Sequence, residues 1–296
     1  MVTPAGRRQL VEHFRVDFGM SERRACGLAG QPRSTHRYRR VRPNDAALRT
    51  RLRELASERP RFGYRRLGIL LRREGDVVNH KRVYRIYRSE GLIVRKKRRR
   101  RISQANRMIE PAATKPNDCW SMDFISDRLN DGRALRVFAV VDDHSKLSPT
   151  IEVDLSLPAV RILRALDRAI ELRGKPCAVR TDNGPEFASH AFDAWAYRHG
   201  IEHRFIRPGK PVENAYAESF NSRVRDECLN LHCFESPSHA RELLDDWLTD
   251  YNELRPHTAL GGRSPNEYLQ SLPGGGPQAE TADGQSQQPQ PAQAAV

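Results

Sequence analysis

The chain changes pattern near residue 118, and this change constrains its fold more than any other feature. Over residues 118–270, apolar runs of strand length alternate with segments of helical periodicity. The first run places Trp120, Met122 and Phe124 at every second position, as in a half-buried strand. Residues 137–141 are continuously apolar, which is typical of a central strand covered on both faces. The alternation predicts an α/β layered fold.

The other elements of this region follow from the same periodicities. We expect further strands at residues 147–153, 177–179 and 203–206, and helices at residues 160–172, 192–197, 213–229 and 241–251. Gly174 is positioned to end the first of these helices. After residue 272 the composition shifts to Pro, Gly, Gln, Ala and Ser, so residues 273–296 are predicted to be a disordered tail.

The first segment, residues 1–40, predicts short helices. Ser21 is a plausible N-cap, and the Gly-Gln-Pro sequence at residues 30–32 breaks the helical pattern. A basic segment follows at residues 33–40. The arrangement makes this part of the chain a candidate helix-turn-helix.

Residues 45–93 predict a three-helix, helix-turn-helix domain. Asn79 is placed to cap the third helix, whose Val83, Ile86 and Tyr87 fall on one side. The opposite side carries the basic residues Lys81, Arg82, Arg85 and Arg88. Such a face on the last of three short helices favours a DNA reader, and an ordinary solvated face is the alternative.

The charge is distributed very unevenly along the chain. Residues 1–110 carry 31 basic and 10 acidic residues, a net charge of +21, whereas residues 111–296 carry 20 basic and 27 acidic residues, a net charge of −7. Seven consecutive Lys or Arg residues at 95–101 lie within a predicted basic linker, residues 94–117. The asymmetry indicates a module that binds a polyanion, joined to a module with an acidic site.

Two protein classes are excluded by composition. No run of 18 apolar residues exists, so a membrane span is not expected. Five scattered cysteines fit a reducing compartment and argue against a disulfide scaffold.

Three acidic residues occupy unusual positions in the α/β region, residues 118–270. Asp123 interrupts an apolar strand, where a buried carboxylate is costly unless a cation or hydrogen-bond donors meet it. Asp182 follows a buried strand in an Asn-Gly-Pro turn, a common location for ligand-facing residues. Glu218 lies beside the apolar stripe of a helix, formed by Ala217, Phe220, Val224, Cys228 and Leu231.

The same helix edge as Glu218 also carries Asn214, Asn221 and Arg225. Carboxylates without His or Cys partners suit hard cations such as Mg²⁺ or Mn²⁺. Two such ions about 4 Å apart can activate a nucleophile and stabilise a leaving 3′ oxygen. Any one of the three carboxylates is more simply explained as a cap or a surface group, but the set of three favours a metal site.

Four segments resemble a known family. Residues 120–124 (WSMDF), 181–187 (TDNGPEF) and 214–220 (NAYAESF) are similar to the Asp-Asp-Glu core of retroviral-integrase-type transposases, and 35 residues separate Asp182 from Glu218, as in the D,D(35)E signature. Residues 251–260 (YNELRPHTAL), with Pro265 and Tyr268, resemble the segment that closes these domains. The nearest resemblance is to the catalytic OrfB protein of IS-three-type bacterial insertion sequences.

The resemblance implies a ribonuclease-H-like integrase core, a mixed five-stranded sheet flanked by helices, preceded by an all-α helix-turn-helix region. It implies a transposase that cleaves element ends and transfers the 3′-OH strand, with Asp123, Asp182 and Glu218 as catalytic metal ligands for Mg²⁺ or Mn²⁺. Double-stranded DNA is the implied substrate, bound by a homo-oligomer and with an upstream-frame helix-turn-helix protein as a further partner. A cytoplasmic, nucleoid-associated location in a bacterium is expected.

Two departures from the family stand out. Arg225 occupies a position where the family usually has Lys, so the charge is kept while its geometry changes. The zinc-binding module of retroviral integrases has no counterpart, and Cys228 is interpreted as a core residue.

Two other functions are alternatives to the transposase hypothesis. A metal-dependent nuclease with the same core would only hydrolyse DNA, and the triad alone does not separate hydrolysis from transfer. A DNA-binding regulator with an inactive core would need a broken triad, whereas all three carboxylates are present.

Overall fold

The computed structural model describes residues 3–38, 45–94, 112–207 and 211–273. The basic run at residues 95–101 and all but the first residue of the predicted tail lie outside these ranges. The chain divides into two compact units, Met1–Arg51 and Leu52–Val296. The finer boundaries drawn from the sequence remain predictions.

Over residues 3–38 the first unit forms three short helices, α1 (Pro4–Asp17), α2 (Glu22–Leu28) and α3 (Arg33–Arg37), and the helix that follows begins before the unit ends. Ser21 caps α2 as predicted, because its Oγ accepts a hydrogen bond from the Arg24 amide at 3.4 Å. The core of this unit is small and includes Val11, Ala25 and Cys26. The basic segment predicted over residues 33–40 is a helix as far as Arg37. Glu22 stabilises it by bonding the Arg33 and Arg37 guanidinium groups at 3.2 and 2.8 Å.

Three further helices follow: α4 (Ala46–Glu58), α5 (Tyr64–Arg73) and α6 (His80–Ser89). The prediction for α6 is confirmed in detail. Asn79 Oδ1 accepts a hydrogen bond from the Lys81 amide at 2.9 Å, and Val83, Ile86 and Tyr87 are buried. An amphipathic helix of only ten residues gains its stability from this packing more than from intrinsic propensity.

Five strands form one mixed sheet: β1 (Cys119–Arg128), β2 (Ala134–Asp142), β3 (Ile151–Asp154), β4 (Ala178–Thr181) and β5 (Glu202–Phe205). Their order across the sheet is β3-β2-β1-β4-β5. The first three strands are antiparallel, while β4 pairs parallel to β1 and β5 pairs parallel to β4. The expected mixed five-stranded sheet is confirmed.

Helices cover both faces of the sheet: α7 (Ala159–Arg173), α8 (His190–His199), α9 (Ala215–Glu227) and α10 (Pro237–Glu253), with α11 (Pro265–Gln270) at the end. Alternate residues of β2 explain the three layers. Val137 and Ala139 belong to the core under α9 and α10, whereas Phe138 and Val140 belong to the core under α7 and α8. Burial on both faces requires the continuous apolar run seen in the sequence.

Two predicted elements differ from the structure. The strand expected at residues 147–153 begins only at Ile151, because the chain after β2 first makes a turn in which the Asp142 carboxylate accepts a hydrogen bond from the Ser145 amide at 3.1 Å. The helix expected at residues 213–229 starts as a 3-10 turn and is α-helical only in α9. Leu231, assigned to its apolar stripe, is therefore beyond the helix and 44% exposed.

Ion pairs and a hydrogen bond join α5 and the segment before it to the C-terminal part of the α/β region, within the second unit. Arg59 contacts Asp250 at 2.5 Å, Arg66 contacts Glu227 at 3.6 Å, and Arg73 donates to the Leu254 carbonyl at 2.7 Å. The helix-turn-helix-like part of this unit is thus fixed to α9, α10 and the turn after α10. Within the described ranges, every helix is too short or too polar to cross a membrane.

Candidate active site

Asp123 lies in the middle of β1, on the sheet face that α9 covers. The pairing of β1 with β2 places Asp123 opposite Ala139, a residue of the α9-side core. One carboxylate oxygen accepts a hydrogen bond from the Phe124 amide at 2.8 Å, and the other accepts one from Asn221 Nδ2 of α9, also at 2.8 Å. The carboxylate is therefore half-buried and fixed in orientation.

Asp182 follows directly after β4, the strand that lies parallel and next to β1. Its Oδ1 accepts a hydrogen bond from the Gly184 amide at 3.0 Å. A Cβ atom at residue 184 would lie only 3.0 Å from that same oxygen, so glycine lets the backbone approach the carboxylate closely. The turn after β4 thus holds Asp182 at the carboxyl end of that strand.

Glu218 lies in the first turn of α9 and is exposed. The helix is anchored by its buried residues Ala217, Phe220 and Val224. Asn214, just before α9, donates from Nδ2 to the Met122 carbonyl of β1 at 3.0 Å. A carboxylate in the first turn is also favoured by the helix dipole. These contacts hold the start of α9, and hence Glu218, beside β1.

The three carboxylates influence one another electrostatically. The pKa of Asp123 is raised from 3.8 to about 6, first by burial and also by the negative charges of Asp182 and Glu218, while hydrogen bonds from Phe124 and Asn221 oppose the shift. Asp182 and Glu218 thus lie near enough to Asp123 for their charges to act on it. Across the described ranges, however, no three His, Cys, Asp or Glu side chains stand close enough to form a ready metal cluster.

The surroundings of the triad fit a divalent cation. The donor set is made of carboxylate oxygens, which hard cations prefer, and their mutual repulsion is what a cation would relieve. Within the described ranges, the two asparagines that bind β1 here, one through the Met122 carbonyl and one through Asp123, also have unsatisfied oxygens. In the described part of the chain, Oδ1 of Asn214 and Oδ1 of Asn221 are buried without a hydrogen-bond donor. A hydrated cation would supply such donors through its water molecules.

Arg225 lies two turns beyond Glu218 and is exposed. Its guanidinium donates a hydrogen bond to the Ser126 carbonyl of β1 at 3.0 Å. The two acidic residues that follow it, Asp226 and Glu227, instead contact Arg61 and Arg255. Arg225 therefore presents its charge at the same side of the sheet as the triad.

The four predicted DNA-binding residues of α6 lie away from its buried side. Lys81, Arg85 and Arg88 are exposed, and Arg82 is half-buried. The exposed side of α6 is therefore basic, as binding to a nucleic-acid groove requires.

Sequence reasoning missed one buried polar group in the site. Arg180 of β4 and Asp143, just after β2, form an ion pair on the same sheet face as the triad. Each residue belongs to a different strand end, so their proximity depends on strand pairing and not on local sequence. The position of Arg180 two residues before Asp182 was the available signal.

Comparison with known proteins defines the class of the chain. Two integrase core domain models match residues 113–211 and 199–265, and a model of an HTH-like domain matches residues 43–101. The fold and these matches describe an integrase-core protein with a preceding helix-turn-helix-like domain.

Insertion-element proteins are similar over most of the chain. The IS407 uncharacterized 31.7 kDa protein of Burkholderia multivorans is 48% identical over 86% of this chain and 92% of its own length. The IS476 uncharacterized 39.2 kDa protein of Xanthomonas euvesicatoria is 46% identical over 90% and 78%. Transposase InsD of the Escherichia coli element IS2 is 29% identical over 76% and 79%. The chain belongs to the bacterial insertion-sequence transposases of the IS-three type.

Solved integrase structures are more distant. The HTLV-2 integrase catalytic core domain in complex with magnesium matches with a TM-score of 0.44 and 22% identity, over 52% of this chain and 97% of that chain. A simian T-cell lymphotropic virus intasome, in complex with a PP2A regulatory subunit, matches with a TM-score of 0.48 and 19% identity, over 75% of each chain.

Proposed function

We propose that this transposase cleaves DNA at the ends of its insertion element and transfers the freed 3′-OH strand to another phosphodiester. The observation that carries the proposal is the convergence of Asp123, Asp182 and Glu218, close enough for the other two carboxylates to raise the pKa of Asp123. Carboxylates from two neighbouring strands and the start of a helix, beside an exposed cationic side chain, suit phosphoryl transfer to and from DNA.

Asp123, Asp182 and Glu218 would hold two Mg²⁺ or Mn²⁺ ions. When bound, such ions activate the attacking oxygen and stabilise the leaving 3′ oxygen. The chain's own contribution is to fix the ligands. Asn221 orients the Asp123 carboxylate, and the Gly184 amide orients that of Asp182. Rigid ligands reduce the cost of organising the site for each reaction.

Two basic regions would hold the DNA. The exposed side of α6 would read the element end, and Arg225 would contact a phosphate next to the scissile bond. The first unit, with its short α2 and α3 joined by a four-residue connection containing Gly30, would add a second helix-turn-helix contact. We further propose that the protein acts as a homo-oligomer on DNA at the nucleoid, with an upstream-frame helix-turn-helix partner.

Replacing Arg225 separates transfer from hydrolysis. At 1.5 Å per residue, Arg225 lies about 10.5 Å along the axis of α9 from Glu218, too far to share a metal ion but within reach of an adjacent phosphate. We expect Arg225→Ala to reduce joining of a pre-cut element end while metal binding and thermal stability stay nearly unchanged. Arg225→Lys, which keeps the charge, is the matched variant and should retain part of the joining activity. Equal joining by Arg225→Ala and wild type would remove Arg225 from the proposal.

The role of α6 can be tested by the salt dependence of binding. Lys81→Ala combined with Arg88→Ala should weaken binding to an element-end duplex and reduce the slope of log affinity against log salt by about 0.9 for each phosphate that the variant no longer neutralises. Fluorescence anisotropy over a salt series measures this slope. Arg198→Ala, an exposed arginine of α8 on the opposite face of the sheet, is the control and should leave the slope unchanged. A control that weakens binding as much as the α6 variant would contradict this placement.

Metal-free stability should depend on pH through Asp123. Because its pKa is raised from 3.8 to about 6 in the folded protein, the carboxyl binds its proton more tightly when folded. Its unfavourable contribution to folding is therefore absent below about pH 4, grows between about pH 4 and 6, and is fully present above pH 6. We expect Mg²⁺ to raise the Tm of wild type more at pH 8 than at pH 5. Differential scanning fluorimetry should show no such pH-dependent gain for Asp123→Asn, and an equal gain would count against the site.

A further inference from the structure

A buried ion pair lies close, in the strand register, to the candidate metal ligands Asp123 and Asp182. Arg180 is 6% exposed and Asp143 is 3% exposed, and Arg180 Nη1 lies 2.7 Å from Asp143 Oδ2. The other carboxylate oxygen of Asp143 accepts a hydrogen bond from Ser121 Oγ at 2.6 Å. Both oxygens of one buried carboxylate thus bind two neighbouring strands, β1 through Ser121 and β4 through Arg180.

The strand register relates this group to the catalytic aspartates. Ser121 and Arg180 are Cα partners across the parallel pair of β1 and β4. Each lies two residues before a candidate ligand, Asp123 in one strand and Asp182 after the other. Because side chains alternate along a strand, Ser121 points to the same face as Asp123. Asp143 therefore binds, in each strand, the residue two positions before the aspartate.

Asp143 is itself held firmly in place. Its backbone amide donates to the Cys119 carbonyl of β1 at 3.0 Å. The turn that follows contains Lys146 in a left-handed conformation, with φ of 62°, and the Lys146 ammonium contacts the Asp143 carbonyl. The same ammonium lies 3.8 Å from the centre of the Tyr216 ring of α9. The group thus connects three elements that carry the triad: β1, the end of β4 and α9.

The guanidinium of Arg180 could also compete with a metal ion for the carboxylates. Two residues of strand span roughly 6.6 Å, which is within the reach of an arginine side chain. Released from Asp143, the guanidinium could pair with the carboxylate of Asp182 or Asp123, and it would then compete with a divalent cation. In the structure, Asp143 binds Arg180 Nη1 at 2.7 Å.

We propose that Asp143 and Arg180 are positioning residues for the metal ligands: Asp143 fixes the spacing of β1 and β4 at Asp123 and Asp182, and it withholds the Arg180 guanidinium from both carboxylates. The inference rests on the proposed two-metal function. A purely structural role is the alternative. It predicts that substitutions of the pair change the Tm but not the metal affinity, and a buried ion pair can often be replaced by apolar residues with little loss of stability.

Metal binding without DNA distinguishes the two roles. Free Mn²⁺ is measured by electron paramagnetic resonance during titration of the full chain, alongside its Tm. Loss of a group hydrogen-bonded directly to a metal ligand typically costs about 10–100-fold in metal affinity. Asp143 acts through Ser121 and Arg180, and we expect Asp143→Asn to lie at the lower end of that range, about 10-fold. Adding Arg180→Met to Asp143→Asn removes the competing cation and should recover much of the affinity. Ser121→Ala removes one hydrogen bond only and should give a smaller loss.

Two controls keep the outcomes separate. Asp182→Asn should abolish the Mn²⁺ binding of the site, and Glu227→Gln, which alters the buried Arg255–Glu227 pair elsewhere in the chain, should lower the Tm but leave Mn²⁺ affinity unchanged. If wild type shows no Mn²⁺ binding that Asp182→Asn abolishes, the proposed function itself fails, and the positioning role with it. If wild type binds Mn²⁺ and Asp143→Asn binds it equally well despite a lower Tm, only the positioning role is overturned.

Should Asp143→Asn not fold, the test rests on two other variants: the uncharged double variant Asp143→Asn with Arg180→Met, and Ser121→Ala. Wild-type affinity in Ser121→Ala would then contradict the spacing role of Asp143, and reduced affinity in the double variant would contradict the competition by Arg180.

Discussion

Asp182→Asn is expected to abolish metal-dependent strand cleavage, with a loss of at least about 1000-fold, or roughly 4 kcal/mol of transition-state stabilisation. The substitution removes a charged metal ligand but keeps an oxygen that can accept the Gly184 hydrogen bond, so the turn after β4 should persist. DNA affinity should stay within a few-fold of wild type, because the basic residues of α6 are untouched. Gel analysis of a labelled element-end duplex in Mg²⁺ measures the cleavage.

The matched control for this result is Asp193→Asn. Asp193 is an exposed carboxylate of α8 with a weak contact to His203 at 3.4 Å, on the opposite side of the sheet from α9. The control should cleave at the wild-type rate. Cleavage retained by Asp182→Asn in Mg²⁺ would rule out Asp182 as a ligand of the reacting metals.

Glu227→Ala is expected to destabilise the folded protein by about 3–5 kcal/mol, because it leaves buried cationic groups without their carboxylate. Arg255, with 1% of its side chain exposed, donates from Nε to Glu227 at 2.7 Å, and Arg66 lies 3.6 Å from the same carboxylate. His257 is already buried beside these cations, and burial, then the charges of Arg255 and its neighbours, lowers its pKa to about 2. The loss should appear as a lower denaturant midpoint for unfolding.

Two comparisons test the cause of that loss. Glu202→Gln disrupts an ion pair with Arg204 in which both side chains are largely exposed, so it should change the free energy of unfolding by no more than about 1 kcal/mol. Glu227→Leu combined with Arg255→Met removes both buried charges and should recover much of the stability lost in Glu227→Ala. A double variant as unstable as the single one would show that the contacts, and not the unpaired charges, are responsible.

The parts of the fold that local chemistry determines could be predicted from the sequence. Asn79 and Ser21 cap helices because a short side-chain oxygen satisfies the first free amides, and Gly174 ends α7 because its φ of 84° suits glycine. The apolar run in β2 reflects burial on both faces of the sheet. By contrast, the late start of β3 depends on hydrogen bonds within the turn after β2, which periodicity does not reveal.

The candidate site divides along the same line. Asp123, Asp182 and Glu218 are each unusual in their own segment, so the sequence could single them out, although their catalytic role remains a prediction. The contacts of Asp143 with Ser121 and Arg180 depend on which strands are neighbours and in what register. When that register is unknown, a single sequence gives no reason to connect Asp143 with Arg180, which is 37 positions away.

The most direct test of the transposase mechanism is the length of the product strands. A labelled, pre-processed element end is incubated with the full chain, Mn²⁺ and a target duplex, and the strands are resolved on a denaturing gel; a parallel reaction uses the chain fused to its upstream frame. We expect strands longer than the substrate, produced by joining to the target and absent with Asp182→Asn. Shortened strands alone, with no joined product from either form of the protein, would contradict strand transfer and leave a nuclease.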